Sequence, residues 1–99
     1  MSEKWSAVID AGRDLILDQI GPALEGAEGD LKAWGQKILQ DTAEAVIAQD
    51  QRVLGNLLDQ VKTVAGLNSI RLARGFTWES IGSTVLTIAK FVAKLAVLL

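Results

Sequence analysis

The most hydrophobic part of the chain is residues 78–99, whose sequence is WESIGSTVLTIAKFVAKLAVLL. On a helical wheel at about 100° per residue, its polar side chains form one narrow stripe that consists of Ser80, Ser83, Thr87, Lys90 and Lys94. Apolar side chains cover most of the remaining circumference. The pattern predicts a helix over residues 77–99 that is buried in a membrane or against a protein partner. Thr77 is its predicted N-cap, because a threonine hydroxyl can accept a hydrogen bond from the first turn.

The length of this helix nearly matches the thickness of a bilayer. Residues 81–99 extend over roughly 28 Å, and a hydrocarbon core is about 30 Å thick. The apolar side chains favour insertion by roughly 5 kcal/mol, whereas Lys90 and Lys94 would each cost up to about 3 kcal/mol at the bilayer centre. Insertion of a single helix is therefore nearly neutral in free energy. The balance predicts that the helix is accompanied by other copies or by a partner.

Basic and aromatic residues lie at the entry to this helix, as is typical of a membrane segment. If the helix spans a bilayer, the positive-inside rule places the N-terminal region in the cytoplasm; otherwise the protein lies within a particle or in the cytoplasm. The residues predicted to contact a membrane or partner are Arg71, Arg74, Trp78, Ile81, Val85, Ile88, Lys90, Val92 and Lys94.

The preceding residues, 1–76, are predicted to be an acidic helical region. A first amphipathic helix is predicted at about 3–20, where apolar residues recur at helical spacing and Gly21-Pro22 end the pattern. A second, long helix is predicted at about 30–65. Residues 41–44 match a capping box, which leaves open a break near Gln40. We favour a continuous helix because no glycine or proline lies between Gly35 and Gly55. The predicted fold is therefore all-α.

The second half of the long helix shows the 4-3 apolar spacing of a coiled coil. The proposed oligomer seam consists of Ile47, Asp50, Leu54, Leu57, Val61 and Val64. Asp50 is its one polar member and could set the register of pairing. The seam could pair within the chain or between copies, and we expect a homo-oligomer.

Composition argues against several functional classes. The chain has 99 residues, 49% of them hydrophobic, and contains neither cysteine nor histidine. This removes thiol chemistry, the commonest metal ligand and the commonest general base. Residues 1–65 carry eleven acids and six bases, net −5, while residues 66–99 carry one acid and four bases, net +3. A basic C-terminal part suits an anionic membrane surface, and no basic patch with aromatics predicts nucleic-acid binding.

No constellation of side chains predicts chemistry. Asp10, Asp14 and Asp18 follow one helix face, which spreads their carboxylates too far apart for a divalent cation. The serines and threonines of residues 80–87 have no activating base or catalytic motif, and no phosphate-binding loop occurs. We expect no enzyme activity, metal, cofactor or small-molecule substrate.

The pattern favours a non-catalytic structural or assembly protein, anchored by its C-terminal helix to a membrane or a larger complex, such as a small virion or membrane-complex component. Its layout is similar to that of many small phage and bacterial membrane-associated proteins, without a shared residue motif. Two alternatives stay open. One is a holin-like or pore-forming membrane-active protein, and the other is a soluble helical-bundle interaction module.

Overall fold

A helical bundle accounts for nearly all of the computed structural model, which describes residues 3–98. Its elements are α1 (Glu3–Ile20), a 3-10 turn (Gly21–Ala23), β1 (Leu24–Glu25), α2 (Glu28–Ala48), α3 (Gln51–Gly55), α4 (Leu57–Leu67), β2 (Arg71–Leu72) and α5 (Trp78–Leu98). Helices make up 82% of the structure. This confirms the all-α class, with a long central helix and an apolar C-terminal helix. Leu99, the last residue of the predicted C-terminal helix, lies outside the described residues.

A two-residue ladder joins the segments that follow α1 and precede α5. β1 and β2 pair antiparallel, with Leu24 opposite Leu72. The Ala73 N–H extends the pairing by donating to the Ala23 carbonyl at 2.7 Å. The ladder ties the end of α1 to the approach to α5.

The continuous helix expected over residues 30–65 is divided in the structure. Gln49 adopts left-handed backbone geometry with φ 55°. Its N–H donates to the Val46 carbonyl, and the Asp50 N–H donates to the Ala45 carbonyl at 2.9 Å. This is the Schellman arrangement that ends helices, usually with glycine at the left-handed position. Because a glutamine occupies that position, the sequence contains no glycine to signal the end of the helix.

Asp50 begins the next helix instead of continuing the previous one. Its carboxylate accepts hydrogen bonds from the backbone N–H groups of Arg52 at 3.1 Å and Val53 at 3.2 Å. A side-chain cap of this kind is typically worth about 1 kcal/mol. Asp50 therefore caps α3 and is not the polar member of a coiled-coil seam.

The remaining residues of the predicted seam are distributed over three helices. Leu57 and Val61 are buried in the chain's own core, and Leu54 and Val64 are half-buried. Ile47 lies exposed on the last turn of α2. Because helical geometry is interrupted at Gln49–Asp50 and again at Asn56, these side chains do not lie along one continuous helix as a coiled-coil seam requires.

The core lies where α1, α2, α4 and α5 meet. Trp34 of α2 is its largest fully buried side chain, and the indole N–H donates to the Val61 carbonyl in α4 at 3.2 Å. Ile16 from α1 and Val85 from α5 are fully buried in the same cluster. The residues of the two predicted regions, 1–76 and 77–99, therefore share one hydrophobic core.

Gly12 allows a close approach between three helices. A Cβ at this position would lie 2.6 Å from Leu39 Cδ2 and 2.7 Å from Val92 Cγ2. We expect Gly12→Ala to destabilise the protein by about 1 kcal/mol, because overpacking costs about 1–3 kcal/mol and exceeds the gain of about 1 kcal/mol in helix propensity. Urea unfolding measures the change.

The matched control is Gly66→Ala in α4, where an added Cβ would meet no atom within 4 Å. This substitution is expected to leave stability unchanged or raise it by up to about 1 kcal/mol. If both variants were stabilised equally, Gly12 would not lie in a tight contact.

Candidate functional site

The inner face of α5 belongs to the core of the bundle. Four of the residues predicted to contact a membrane or partner, Ile81, Val85, Ile88 and Val92, are buried against the other helices. Trp78 is half-buried and packs on the same cluster. While the bundle is folded, these side chains are not accessible to a lipid or to another protein.

The polar stripe of α5 faces outward, away from the other helices of the bundle. All five of its side chains are exposed, namely Ser80, Ser83, Thr87, Lys90 and Lys94. The Thr77 hydroxyl accepts a hydrogen bond from the Ser80 N–H at 3.2 Å, which confirms Thr77 as the N-cap.

Exposed apolar side chains flank the lysines at the C-terminal end of α5. Phe91 is 56% exposed, Val97 73% and Leu98 74%, and Leu95 is also exposed. Ile47, on the last turn of α2, is also exposed and lines one groove together with Val97 and Leu98, whereas Phe91 and Leu95 line a separate groove between α1 and α5. These five residues, Ile47, Phe91, Leu95, Val97 and Leu98, are called here the terminal apolar surface.

Of these five residues, only Ile47 was singled out from the sequence, and it was assigned there to a coiled-coil seam. A usable signal existed for Phe91 and Leu98, since at about 100° per residue both lie on the side of the wheel that carries Ser80 and Thr87. Apolar residues on the polar side of a helix are candidates for contact with something other than the core.

Two grooves run along the C-terminal half of α5, one apolar and one with mixed apolar and basic walls. The groove between α1 and α5 has a volume of about 370 Å³ and its walls include Ala11, Leu15 and Phe91. The groove between α2 and α5 has a volume of about 360 Å³ and is lined by Val46, Ile47, Gln49, Lys90, Ala93, Lys94, Val97 and Leu98. The second groove places the end of α2 beside the end of α5, so both helices contribute to one end of the bundle.

Lys90 and Lys94 carry the charge of this end of α5. Neither forms an ion pair within residues 3–98, where the ion pairs lie on α1 and α2. Lys37 of α2 shows the contrast: its ammonium donates to the Asp41 carboxylate at 2.8 Å, and this hydrogen bond raises the pKa of Lys37. The two lysines of α5 therefore remain available to an external anion.

The predicted basic flank lies far from these lysines. Arg71 and Arg74 are exposed near the N-terminal end of α5. Lys94 lies sixteen positions after Trp78, which corresponds to about 24 Å along the helix axis. The arginines and lysines are consequently two separate basic positions and do not form one patch.

The acidic residues of α1 stay on its solvent face. Asp10, Asp14 and Asp18 are exposed, and Arg13 bridges to Asp10 at 3.6 Å and to Asp14 at 3.1 Å. Within the described part of the chain, no group of three or more acidic side chains is placed to hold a metal ion.

Among residues 3–98, α5 is the one helix long and apolar enough to cross a membrane, with a mean hydropathy of 1.7. In the bundle, 39% of this apolar segment is buried. Comparisons with protein-family models, curated proteins and solved structures found no match for this chain.

Proposed function

We propose that this chain is a non-catalytic assembly protein that attaches to a membrane or a larger complex through the terminal apolar surface. The observation that carries the proposal is the exposure of Phe91, Val97 and Leu98 on a helix whose opposite face is buried. Single exposed apolar residues are common, but a cluster at one end of a bundle is typical of an attachment site.

In the proposed attachment, α5 stays packed in the bundle and contacts the membrane or complex through its outer face. Spanning a bilayer would withdraw the inner face of α5 from the core and expose to water the apolar side chains of the other helices, such as Ile16 and Trp34, whose burial is worth about 1.5–3 kcal/mol each. The remaining helices would be left with an open core. Since a domain has only about 5–15 kcal/mol of stability, attachment through the outer face is favoured over spanning by the folded protein.

The direct test is the double substitution Phe91→Ser/Val97→Ser. We expect attachment to weaken at least about tenfold, because two apolar side chains would no longer leave water. Flotation with membranes and sedimentation of assemblies measure attachment, and thermal unfolding verifies that the variant stays folded.

The matched control is Leu67→Ser/Phe76→Ser, which removes one aliphatic and one aromatic side chain that are exposed elsewhere. This variant should attach as the unchanged chain does. If the unchanged chain neither floats nor assembles, or if both double variants lose attachment equally, the proposal is wrong. Removal of α5 is unsuitable as a test because it would also remove part of the core.

A second candidate is a helical interaction module that needs no membrane. This candidate is favoured because the inner face of α5 packs against α1, α2 and α4 in one core. The C-terminal helix is therefore an integral part of the bundle. A soluble partner that binds the chain in the absence of lipid, and whose binding is unchanged in Phe91→Ser/Val97→Ser, would support this candidate over attachment through the terminal apolar surface.

A further inference from the structure

We infer that the attachment partner is a bilayer containing anionic phospholipid, and that α5 enters the interface at an incline with its C-terminal turn deepest. The inference rests on the proposed function and identifies the partner of the terminal apolar surface. It assigns Lys90 and Lys94 to lipid headgroups and Val97 and Leu98 to the outer part of the hydrocarbon region.

The spacing along α5 fits such a position. At about 1.5 Å per residue, Leu98 lies about 6 Å beyond Lys94 and about 12 Å beyond Lys90 along the helix axis. Interfacial helices bury their apolar side chains about 5–10 Å below the headgroup boundary. Long lysine stems can lie along apolar surface while their ammonium groups stay in water or among headgroups. Both lysines can therefore reach headgroups while Leu98 is buried.

The end of α2 supports the same orientation. Ile47 and Val97 line one groove together, so the last turn of α2 would meet the bilayer beside the last turn of α5. Glu44 and Asp50 are each three residues from Ile47 along the chain; neither lines this groove, and Asp50 is occupied as the cap of α3. Among residues 3–98, the charged residues that line this groove are Lys90 and Lys94. Each basic residue near an anionic surface is worth about a fivefold gain in affinity.

A second copy of the chain is a less suitable occupant. A two-fold dimer brings the same surface of both copies together. Pairing through the terminal apolar surface would place Lys90 and Lys94 of one copy close to those of the other, and like charges oppose association. An anionic bilayer instead satisfies both the apolar side chains and the lysines.

The charge requirement is tested with vesicles of phosphatidylcholine, with and without phosphatidylglycerol. The unchanged chain should bind the anionic vesicles more tightly, and Lys90→Gln/Lys94→Gln should weaken that binding by about 25-fold. Lys90→Arg/Lys94→Arg should restore it. The control Lys37→Gln/Lys62→Gln changes net charge equally at exposed positions elsewhere and should have a much smaller effect.

The orientation is tested with a single environment-sensitive dye, since the chain contains no cysteine. The dye is attached to Val97→Cys or, in a separate variant, to Ser83→Cys. These positions are separated by about 21 Å of helix. On anionic vesicles the emission from position 97 should shift to the blue, while the emission from position 83 should stay that of an aqueous dye.

Each result has a defined meaning. Equal binding to neutral vesicles, or equal blue shifts at both positions, would overturn the inferred partner or orientation and leave attachment itself intact. The chain could instead fail to bind vesicles but associate with itself or with a protein partner in a way that depends on Phe91 and Val97. That result would overturn the lipid inference and keep the proposed function. Absence of vesicle binding, self-association and partner binding would overturn both.

Discussion

Replacement of Val92 by aspartate is expected to unfold the protein. Val92 is 2% exposed and sits where α5 meets α1 and α2, close to Gly12. A carboxylate buried there without a partner costs several kcal/mol, or must take up a proton to avoid that cost. The penalty approaches the total stability of a small domain, which is about 5–15 kcal/mol. Circular dichroism during thermal and urea unfolding should show no cooperative transition.

The matched control is Lys90→Leu, two residues earlier on the outer face of the same helix. Because Lys90 is exposed, we expect stability to change by no more than about 0.5 kcal/mol. If Val92→Asp retained a native transition while Lys90→Leu destabilised the fold, the assignment of the inner and outer faces of α5 would be reversed.

The second large effect is expected at Trp34. Trp34→Ala should destabilise the protein by about 3–5 kcal/mol, because it removes a fully buried indole and leaves a cavity between α2 and α4. The substitution also leaves the Val61 carbonyl without the indole N–H that donates to it at 3.2 Å. Equilibrium urea unfolding measures the loss.

Trp34→Phe separates the two contributions. Phenylalanine keeps much of the ring volume but has no donor, so we expect a smaller loss, composed of a reduced packing term and about 1 kcal/mol for the missing hydrogen bond. A loss below about 1 kcal/mol in Trp34→Ala would show that the α2–α4 contact contributes little to the fold.

The two faces of α5 have different surroundings. Toward the bundle, α5 supplies core side chains such as Val85 and Ile88. Toward the outside, its C-terminal half presents Phe91 and Val97 beside two lysines. This division accounts for a composition that is apolar enough for a membrane segment and yet includes a lysine-bearing stripe: the inner apolar residues belong to the fold, and the outer ones are those proposed for attachment.

Periodicity alone was enough to place the faces of α5. Ser80, Ser83 and Lys90 recur at helical spacing, and a helix with that pattern must carry them on one side whatever packs on the other. The Thr77 cap could also be predicted from the sequence, because its hydroxyl accepts a hydrogen bond from Ser80 within the first turn of the same helix. The all-α class followed from the same kind of local information.

The end of α2 and the exposure of the terminal apolar surface depended on tertiary structure. Gln49 takes a left-handed conformation that costs roughly 1–2 kcal/mol for a residue with a side chain, so its own preference does not predict the break. The local signal lies at the next residue, Asp50, which caps α3. Contacts among α2, α4 and α5, together with the Asp50 cap, stabilise the break. Phe91 illustrates the same limit: its hydrophobicity is local, but only the positions of α1 and α2 determine whether a neighbour covers it. Sequence periodicity specifies direction around one helix axis, whereas burial depends on which other helices lie in that direction.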